Sequence, residues 1–361
     1  MSLQRSWDIS RVRKFRQLLL RWYHQHRRPF PWRENPTPYR IWISEIMLQQ
    51  TQAKAVIPRY GRFLDRFPNL ESLAQASEHD VLELWSGLGY YSRARNLHRA
   101  ARLIVKEYGD FPGDFSAILA LPGVGRYTAG AVCSIAFNQA LPVVDGNVRR
   151  VITRLEGLRK KVPDGFFWDR MSAWISQKQP SSFNQAMMEL GATVCTPLHP
   201  LCPSCPAEAL CEGRKLGIQD RIPIARAKRA TQRIPVAILI VEKQRRVLLT
   251  SRQKLSIIPG KWGFPCTRVL QGKSAEEAVN ALCIKLFGRT LPSSPCARIS
   301  HSITHHRITA YGFFCNADLR IPRMRGAQGI RWATFQECGR LLTSSLFHKA
   351  LMECHTANSR K

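Results

Sequence analysis

The chain has 361 residues, 44 % of them apolar, which excludes both a single small domain and a disordered polymer. Lysine and arginine total 55 against 25 acidic residues. The resulting net charge of +30 points to a polyanionic partner and leaves nucleic acid, a ribosomal surface or a membrane surface as options. Eleven cysteines, an odd number, follow a start that is basic from Arg5 onward and has no apolar h-region; both predict a reducing cytoplasm and no disulfide scaffold.

Residues 8–26 carry Val12, Phe15, Leu18, Leu19 and Trp22 at helical spacing and predict an amphipathic helix. Pro29 and Pro31 break it. Helical periods then run to about residue 192, without an internal repeat. Residues 221–235 are basic and bounded by prolines, and predict a linker. Beyond it, "VAILIV" (236–241) and "VLLTS" (247–251) flank "EKQRR" as two strands and a turn. "VAILIV" is also the longest clean apolar run, far short of a membrane span. Ser274–Phe287 predicts a helix ended by Gly288, "RITAYGFF" a further strand, and the last 25 residues are mostly helical. The fold class is therefore multidomain, with about 220 all-α residues followed by about 120 of α+β.

Four stretches carry chemistry. "CTPLHPLCPSCPAEALC" places Cys195, Cys202, Cys205 and Cys211 on one loop, with spacers of six, two and five residues. Prolines keep the loop from becoming a helix, so the sulfurs can converge on an iron–sulfur cube or on a zinc ion. "LPGVGRYTAG" has Gly123 and Gly125 around Val124, just before a helix. Such a loop can present backbone N–H groups and a helix N-terminus to a phosphate, or be an ordinary turn between helices. "VVDGNVRRV" sets Asp145 as the cap of a helix beginning near Val148. "YRIWISEIMLQQTQ" sets Glu45 among apolar residues, with Gln49 and Gln52 on its helical face beside Ile41. Glu45 either reaches solvent or is desolvated, and desolvation would raise its pKa toward neutrality. An acid of raised pKa and a second, hydrogen-bonded carboxylate on a basic helical frame suggest cleavage of a glycosidic bond. In duplex DNA that bond becomes accessible only when the nucleotide is flipped out. Tyr90 and Tyr91, on the glycine-flanked turn "GLGYYSRARN", suit a duplex wedge or helix–helix packing.

The cysteine spacing, LPGVGRYTAG and VVDGNVRRV together make residues from about 10 to 225 resemble the helix-hairpin-helix DNA glycosylases with a cluster loop. The stretches "PWRENPTPYRIWISEIMLQQTQ", "LWSGLGYYSRARNLHRAA" and "FNQAMMELGATVC" narrow the resemblance to the MutY-type adenine DNA glycosylases. That family removes adenine mispaired with 8-oxoguanine or guanine from double-stranded DNA. The resemblance implies Glu45 as the acid that protonates the base, Asp145 as the carboxylate that stabilises the oxocarbenium ion, and Tyr127 and Asn147 as lining residues. It implies Glu189 as an adenine contact, Trp32 and Arg33 as the frame of the base pocket, and Gln50 and Tyr90 as residues that probe and wedge the duplex. Leu121, Gly123, Val124 and Gly125 would meet the DNA backbone, with Gln49 near the bases. Cys195, Cys202, Cys205 and Cys211 would hold a 4Fe-4S cluster. Where endonuclease III-like relatives carry a lyase lysine, this chain has Tyr127, and no lysine lies between Lys106 and Lys160. The expectation is thus a monofunctional enzyme, monomeric, cytoplasmic and nucleoid-associated.

The expected domains are 1–29 with 141–220 (cluster-loop helices), 30–140 (six helices), a linker at 221–234 and a Nudix-like domain at 235–354. "IPGKWGFP" fits that last domain, whereas Glu276 and Glu277 alone are too few carboxylates for a magnesium-holding hydrolase box. The lesion-reading loop of the family, usually Phe-Ser-His, falls on Ile303, Thr304 and His305, so the aromatic is missing. Arg214, Lys215, Arg226, Lys228 and Arg229 extend a basic footprint past the cluster loop. The competing readings are an endonuclease III-like lyase and a catalytically silent DNA-binding cluster protein.

Overall fold

The computed structural model describes residues 7–224, 231–251, 255, 258, 262–303, 306–316, 329–342 and 344–358. Thr304, His305, Arg226, Lys228 and Arg229 lie outside the described residues. The chain divides into two compact units, Met1–Arg226 and Ala227–Lys361.

The first unit is helical. Its helices are α1 (Ile9–His26), α2 (Pro38–Leu48), α3 (Ala53–Arg66), α4 (Leu70–Gln75), α5 (Glu78–Leu84) and α6 (Ser92–Glu107). They continue with α7 (Phe115–Leu119), α8 (Arg126–Ala136), α9 (Gly146–Leu155), α10 (Asp164–Trp174), α11 (Pro180–Thr193) and α12 (Glu212–Lys215). Residues 30–140 thus hold seven helices rather than the expected six, because α7 is a five-residue turn before the glycine loop. Asp8 caps α1 by accepting from the Arg11 N–H, and the apolar stripe Val12, Phe15, Leu19 and Trp22 is buried. Thr37 caps α2, and Pro38 occupies its first turn, where a missing N–H costs nothing. α2 is buried almost all round, Ile41 through Met47, so Glu45 has no solvent-facing side to escape to. One core collects residues from 30 to 133, around Trp42, Phe63, Phe67 and Trp85. A second collects α1 with residues 144–211, around Phe15, Trp174 and Phe183. Each such fully buried large side chain contributes about 1.5–3 kcal/mol.

α2 ends at Leu48 and Gln52 stands at the start of α3, without a side-chain cap bond, so Gln52 does not share a helix face with Glu45. The predicted linker is too long, because a strand begins at Gln232.

The second unit has one mixed sheet of β1 (Gln232–Lys243), β2 (Arg246–Ser251), β3 (Trp262–Gly263), β4 (Cys266–Arg268), β5 (Ser294–Ile303), β6 (His306–Asn316) and β7 (Ile330–Thr334). The order is β3-β2-β1-β6-β5, with β4 beside β1 and β7 beside β2. Gln244 and Arg245, both at positive φ, form the two-residue turn between β1 and β2. β1 pairs parallel with β6 from Gln232↔His306 to Glu242↔Asn316. Alternate residues of its apolar run face opposite layers: Val236, Ile238 and Ile240 on one side, Ala237, Leu239 and Val241 on the other. α14 (Phe335–Leu341) and α15 (Ser345–Asn358) cover the first face and α13 (Ala275–Phe287) the second. Ser274 and Glu277 cap α13 reciprocally, and Gly288 ends it at φ 73°.

The expectation of no disulfide scaffold needs one amendment, since Cys296 and Cys354 form a disulfide between β5 and α15. A register shift between Pro295 and Ala297 sets Cys296 in a bulge, and Gly312 on β6 leaves room for both sulfurs. Neither feature is visible from cysteine counting. Among the described residues no helix is long and apolar enough to cross a membrane.

Candidate active site

Glu45 sits in the last turn but one of α2 and is 6 % exposed. Burial raises its pKa to about 7, with the nearby Tyr127 hydroxyl and Arg33 pulling down and the Asp145 carboxylate pushing up. Its Oε2 is buried with no hydrogen-bond partner. Tyr127 enters from the first turn of α8, where its hydroxyl also donates to Met188 Sδ at 3.3 Å. Burial, then the Glu45 and Asp145 carboxylates, drive its pKa far up, so it stays a neutral donor.

Asp145 is the cap of α9. Its Oδ1 accepts from the Val148 N–H at 2.7 Å and its Oδ2 from Asn147 Nδ2 at 2.9 Å. Burial raises this carboxyl as well, while those two donors and Arg150 counter the rise. The capping and second-carboxylate readings of Asp145 therefore coincide in one geometry. Asn147 is held in turn by Arg150, whose Nη2 donates to Asn147 Oδ1 (2.8 Å) and Gly191 O (2.7 Å), and whose Nε donates to Cys195 O (2.7 Å). Gly191 lies inside α11, and a Cβ there would stand 2.6 Å from Asn147 Cβ. The close approach of α11 to α9 depends on that missing methyl.

Glu189, 1 % exposed, is bound by Arg28 Nε at 2.6 Å and Arg33 Nη2 at 2.8 Å. Burial alone would raise its pKa, but the two guanidiniums outweigh it and the carboxyl ends below its ordinary value. Arg33 also donates to Gln185 Oε1 (3.1 Å), and Trp32 stacks on Phe30 with ring centroids 4.7 Å apart. The structure thus brings Glu45, Tyr127, Asp145, Asn147, Arg33 and Glu189 into one neighbourhood.

The predicted DNA-facing residues lie around it. Gly123 takes φ 79°, and a side chain there would collide with Asn96 on α6. Gly125 begins α8 without a side-chain cap, so the first N–H groups of that helix remain available. The Leu121 side chain is 3 % exposed and belongs to the core, so only its backbone can meet a ligand, while Val124 is half-buried against the same core. Gln49 ends α2 and donates to Thr128 Oγ1 at 3.3 Å. Gln50 and Tyr90 are both exposed, at φ 55° and 46°. Tyr91, in contrast, packs half-buried on the core, as helix–helix packing predicts for it.

Cys195, Cys202, Cys205 and Cys211 line one cavity with Leu155, Leu190 and Arg154. Arg154 is 2 % exposed and pairs with no carboxylate among the described residues; it donates to Cys195 Sγ (3.4 Å), Thr196 O (2.6 Å) and Pro197 O (3.1 Å). Among the described residues no three Cys, His, Asp or Glu side chains are close enough to hold a single metal ion. Arg214 and Lys215 nearby are already paired with Glu208 and Glu212.

Reading residue types along the chain did not single out Arg28, Arg93, Arg150, Arg154, Met188 or Gly191. Only Gly191 left a signal, as a glycine interrupting the helical run "MMELGATV".

An α-helical hairpin frame that buries two carboxylates beside a glycine loop, followed by a Nudix-like sheet, defines a DNA base-excision glycosylase with an appended domain. A profile described as HhH-GPD superfamily base excision DNA repair protein matches residues 43–166, and a NUDIX domain profile matches 236–353. The adenine DNA glycosylase of Rattus norvegicus is 34 % identical across 95 % of this chain and 78 % of its own length. That of Buchnera aphidicola is 38 % identical across 73 % and 76 %. The structure of a thermostable thymine-DNA glycosylase aligns with TM-score 0.54 and 30 % identity, over 57 % of this chain and 97 % of that one. An endonuclease III–DNA complex shares the fold at TM-score 0.50 and 24 % identity, over 58 % and 98 %. The chain belongs to the adenine DNA glycosylases, hydrolases of N-glycosidic bonds in base excision repair.

Proposed function

We propose that the chain excises adenine mispaired with 8-oxoguanine or guanine in duplex DNA and leaves an intact abasic site. The observation that carries this is the burial of Glu45, with a pKa of about 7, beside the hydrogen-bonded carboxylate Asp145. The protonated Glu45 gives its proton to a ring nitrogen of the flipped adenine as the N-glycosidic bond breaks, so the base leaves neutral. The sugar becomes an oxocarbenium ion, which the Asp145 carboxylate stabilises from close range. Water then adds to the sugar carbon, and its proton returns to Glu45. Tyr127 and Asn147 fix the two carboxyls, and Arg33 and Glu189 frame the base. With tyrosine at position 127 and no lysine from 107 to 159, no amine is offered for a Schiff base, which supports a monofunctional enzyme.

Cys195, Cys202, Cys205 and Cys211 would hold a 4Fe-4S cluster. Four thiols around one cavity, beside an Arg154 that pairs with no carboxylate among the described residues, support this fit. Such a cluster cross-links the loop and carries negative charge. The cluster-loop helices (1–29 with 141–220) and the hairpin helices (30–140) act as two lobes, in keeping with their separate cores. The enzyme works as a monomer.

The test is single-turnover cleavage of duplexes with adenine opposite 8-oxoguanine, guanine or thymine, with and without alkali. Strand breaks only after alkali, fastest with 8-oxoguanine, are expected. Breaks without alkali would overturn the monofunctional reading, and equal rates for all three partners would overturn the mispair preference.

A further inference from the structure

We propose that Arg93 is a positioning residue for base extrusion: one buried guanidinium clamps the two turns that bear Gln50 and Tyr90, so both side chains enter the duplex as a unit. This rests on reading Gln50 and Tyr90 as the duplex-probing pair.

Arg93 lies in the first turn of α6 and is 9 % exposed. Its Nη1 donates to Ile46 O (2.8 Å), Met47 O (2.8 Å) and Gln49 O (2.6 Å). Its Nη2 donates to Thr51 Oγ1 (3.1 Å), Leu88 O (3.0 Å) and Gly89 O (3.3 Å). Among the described residues no carboxylate pairs with it, so five carbonyl oxygens and the Thr51 hydroxyl take up its charge. Two of them close α2, where the helix dipole is negative. A simple cap of α2 would end there. Instead the acceptors include the carbonyl directly before Gln50 and the carbonyl directly before Tyr90.

Those two residues hold left-handed backbones, which cost about 1 kcal/mol or more apiece without glycine. Both are exposed, Tyr90 at 53 %, so burial of their own side chains does not supply the restraint. It comes from beneath, through the peptides that precede them. The guanidinium also stands 5.5 Å from the Tyr90 ring centroid and 5.4 Å from that of Trp85. A planar fork can serve both turns at once, whereas a lysine ammonium, a single point donor, cannot span them. Two turns ordered in advance spare the extrusion step the entropy of ordering them separately.

The experiment follows extrusion by 2-aminopurine fluorescence, with the probe beside an adenine opposite 8-oxoguanine and enzyme in excess. Tyr90→Ala and Gln50→Ala are expected to slow extrusion about tenfold each. Arg93→Lys should slow it by a similar factor while affinity for undamaged duplex and the pH dependence of the chemical step stay unchanged. Adding Tyr90→Ala to Arg93→Lys should then cost little more, since the two act through one step. If Tyr90→Ala and Gln50→Ala extrude at the parent rate, the reading of those two residues fails. If they slow extrusion but Arg93→Lys does not, or the losses multiply, the clamp fails and that reading stands. Should Arg93→Lys not fold, Thr51→Val keeps the arginine and removes one acceptor. It should slow extrusion about twofold to threefold, non-additively with Gln50→Ala, and multiplying losses would again overturn the clamp.

Discussion

Replacing Glu45 by glutamine separates stability from chemistry. The parent carboxyl rises from 4.5 to about 7 on folding, chiefly through burial, which corresponds to roughly 3 kcal/mol at about 1.4 kcal/mol per pH unit. Between pH 4.5 and about 7 the folded chain holds a proton that the unfolded chain has lost, so stability falls as pH rises through that window. Above it, the parent carries the full cost of a buried charge. Glu45→Gln keeps the shape and cannot ionise, so it should be more stable than the parent by up to about 3 kcal/mol at pH 8 and nearly equal at pH 4.5. For a unit the size of Met1–Arg226 that is on the order of 5–10 °C in melting temperature. Melting curves of both proteins at pH 5, 6, 7 and 8 measure the difference. The single-turnover rate should move oppositely: the parent loses rate as pH climbs past about 7, and the variant is about 10²–10⁴-fold slower throughout. A melting difference that stays constant with pH, or a variant less stable than the parent at pH 8, would refute the desolvated acid.

Gly191→Ala should drive a methyl into Asn147, cost about 1–3 kcal/mol in thermal or urea unfolding and slow base release at least about tenfold by shifting the cap at Asp145. Raising salt from about 50 to 200 mM should weaken duplex binding about 10³-fold or more, as fluorescence anisotropy would record, because +30 of net charge meets phosphate. Reducing Cys296–Cys354, which closes a separation of 58 residues, should destabilise the second unit by about 2–4 kcal/mol in a melt with and without dithiothreitol.

The chemistry was legible in the sequence where a residue type conflicts with its surroundings. A glutamate inside "IWISEIML" announced desolvation, and an aspartate before "GNV" announced a cap. Four cysteines among prolines announced a loop whose thiols share one cavity. What stayed hidden depends on partners distant in sequence. The resemblance names Glu189, but not its ion pairs with Arg28 and Arg33, which arrive from about 160 positions away. Arg93 looks like one arginine among many, since backbone carbonyls carry no sequence signature. The disulfide needs a bulge and Gly312, and the linker ran too long because prolines and arginines concealed the first residues of β1. Gln52 was assigned to the face of Glu45 because nothing local marks the end of α2. Arg93, from 44 residues further on, takes up its last carbonyls.

Under the proposed function, Glu45 and Asp145 together release adenine. Free adenine liberated from a duplex holding adenine opposite 8-oxoguanine should be quantified under single-turnover conditions for the parent, Glu45→Gln and Asp145→Asn, each shown folded and duplex-bound. Stoichiometric adenine is expected from the parent, and rates at least about 10²-fold lower from both variants. Release at the parent rate by either variant would contradict the proposed function.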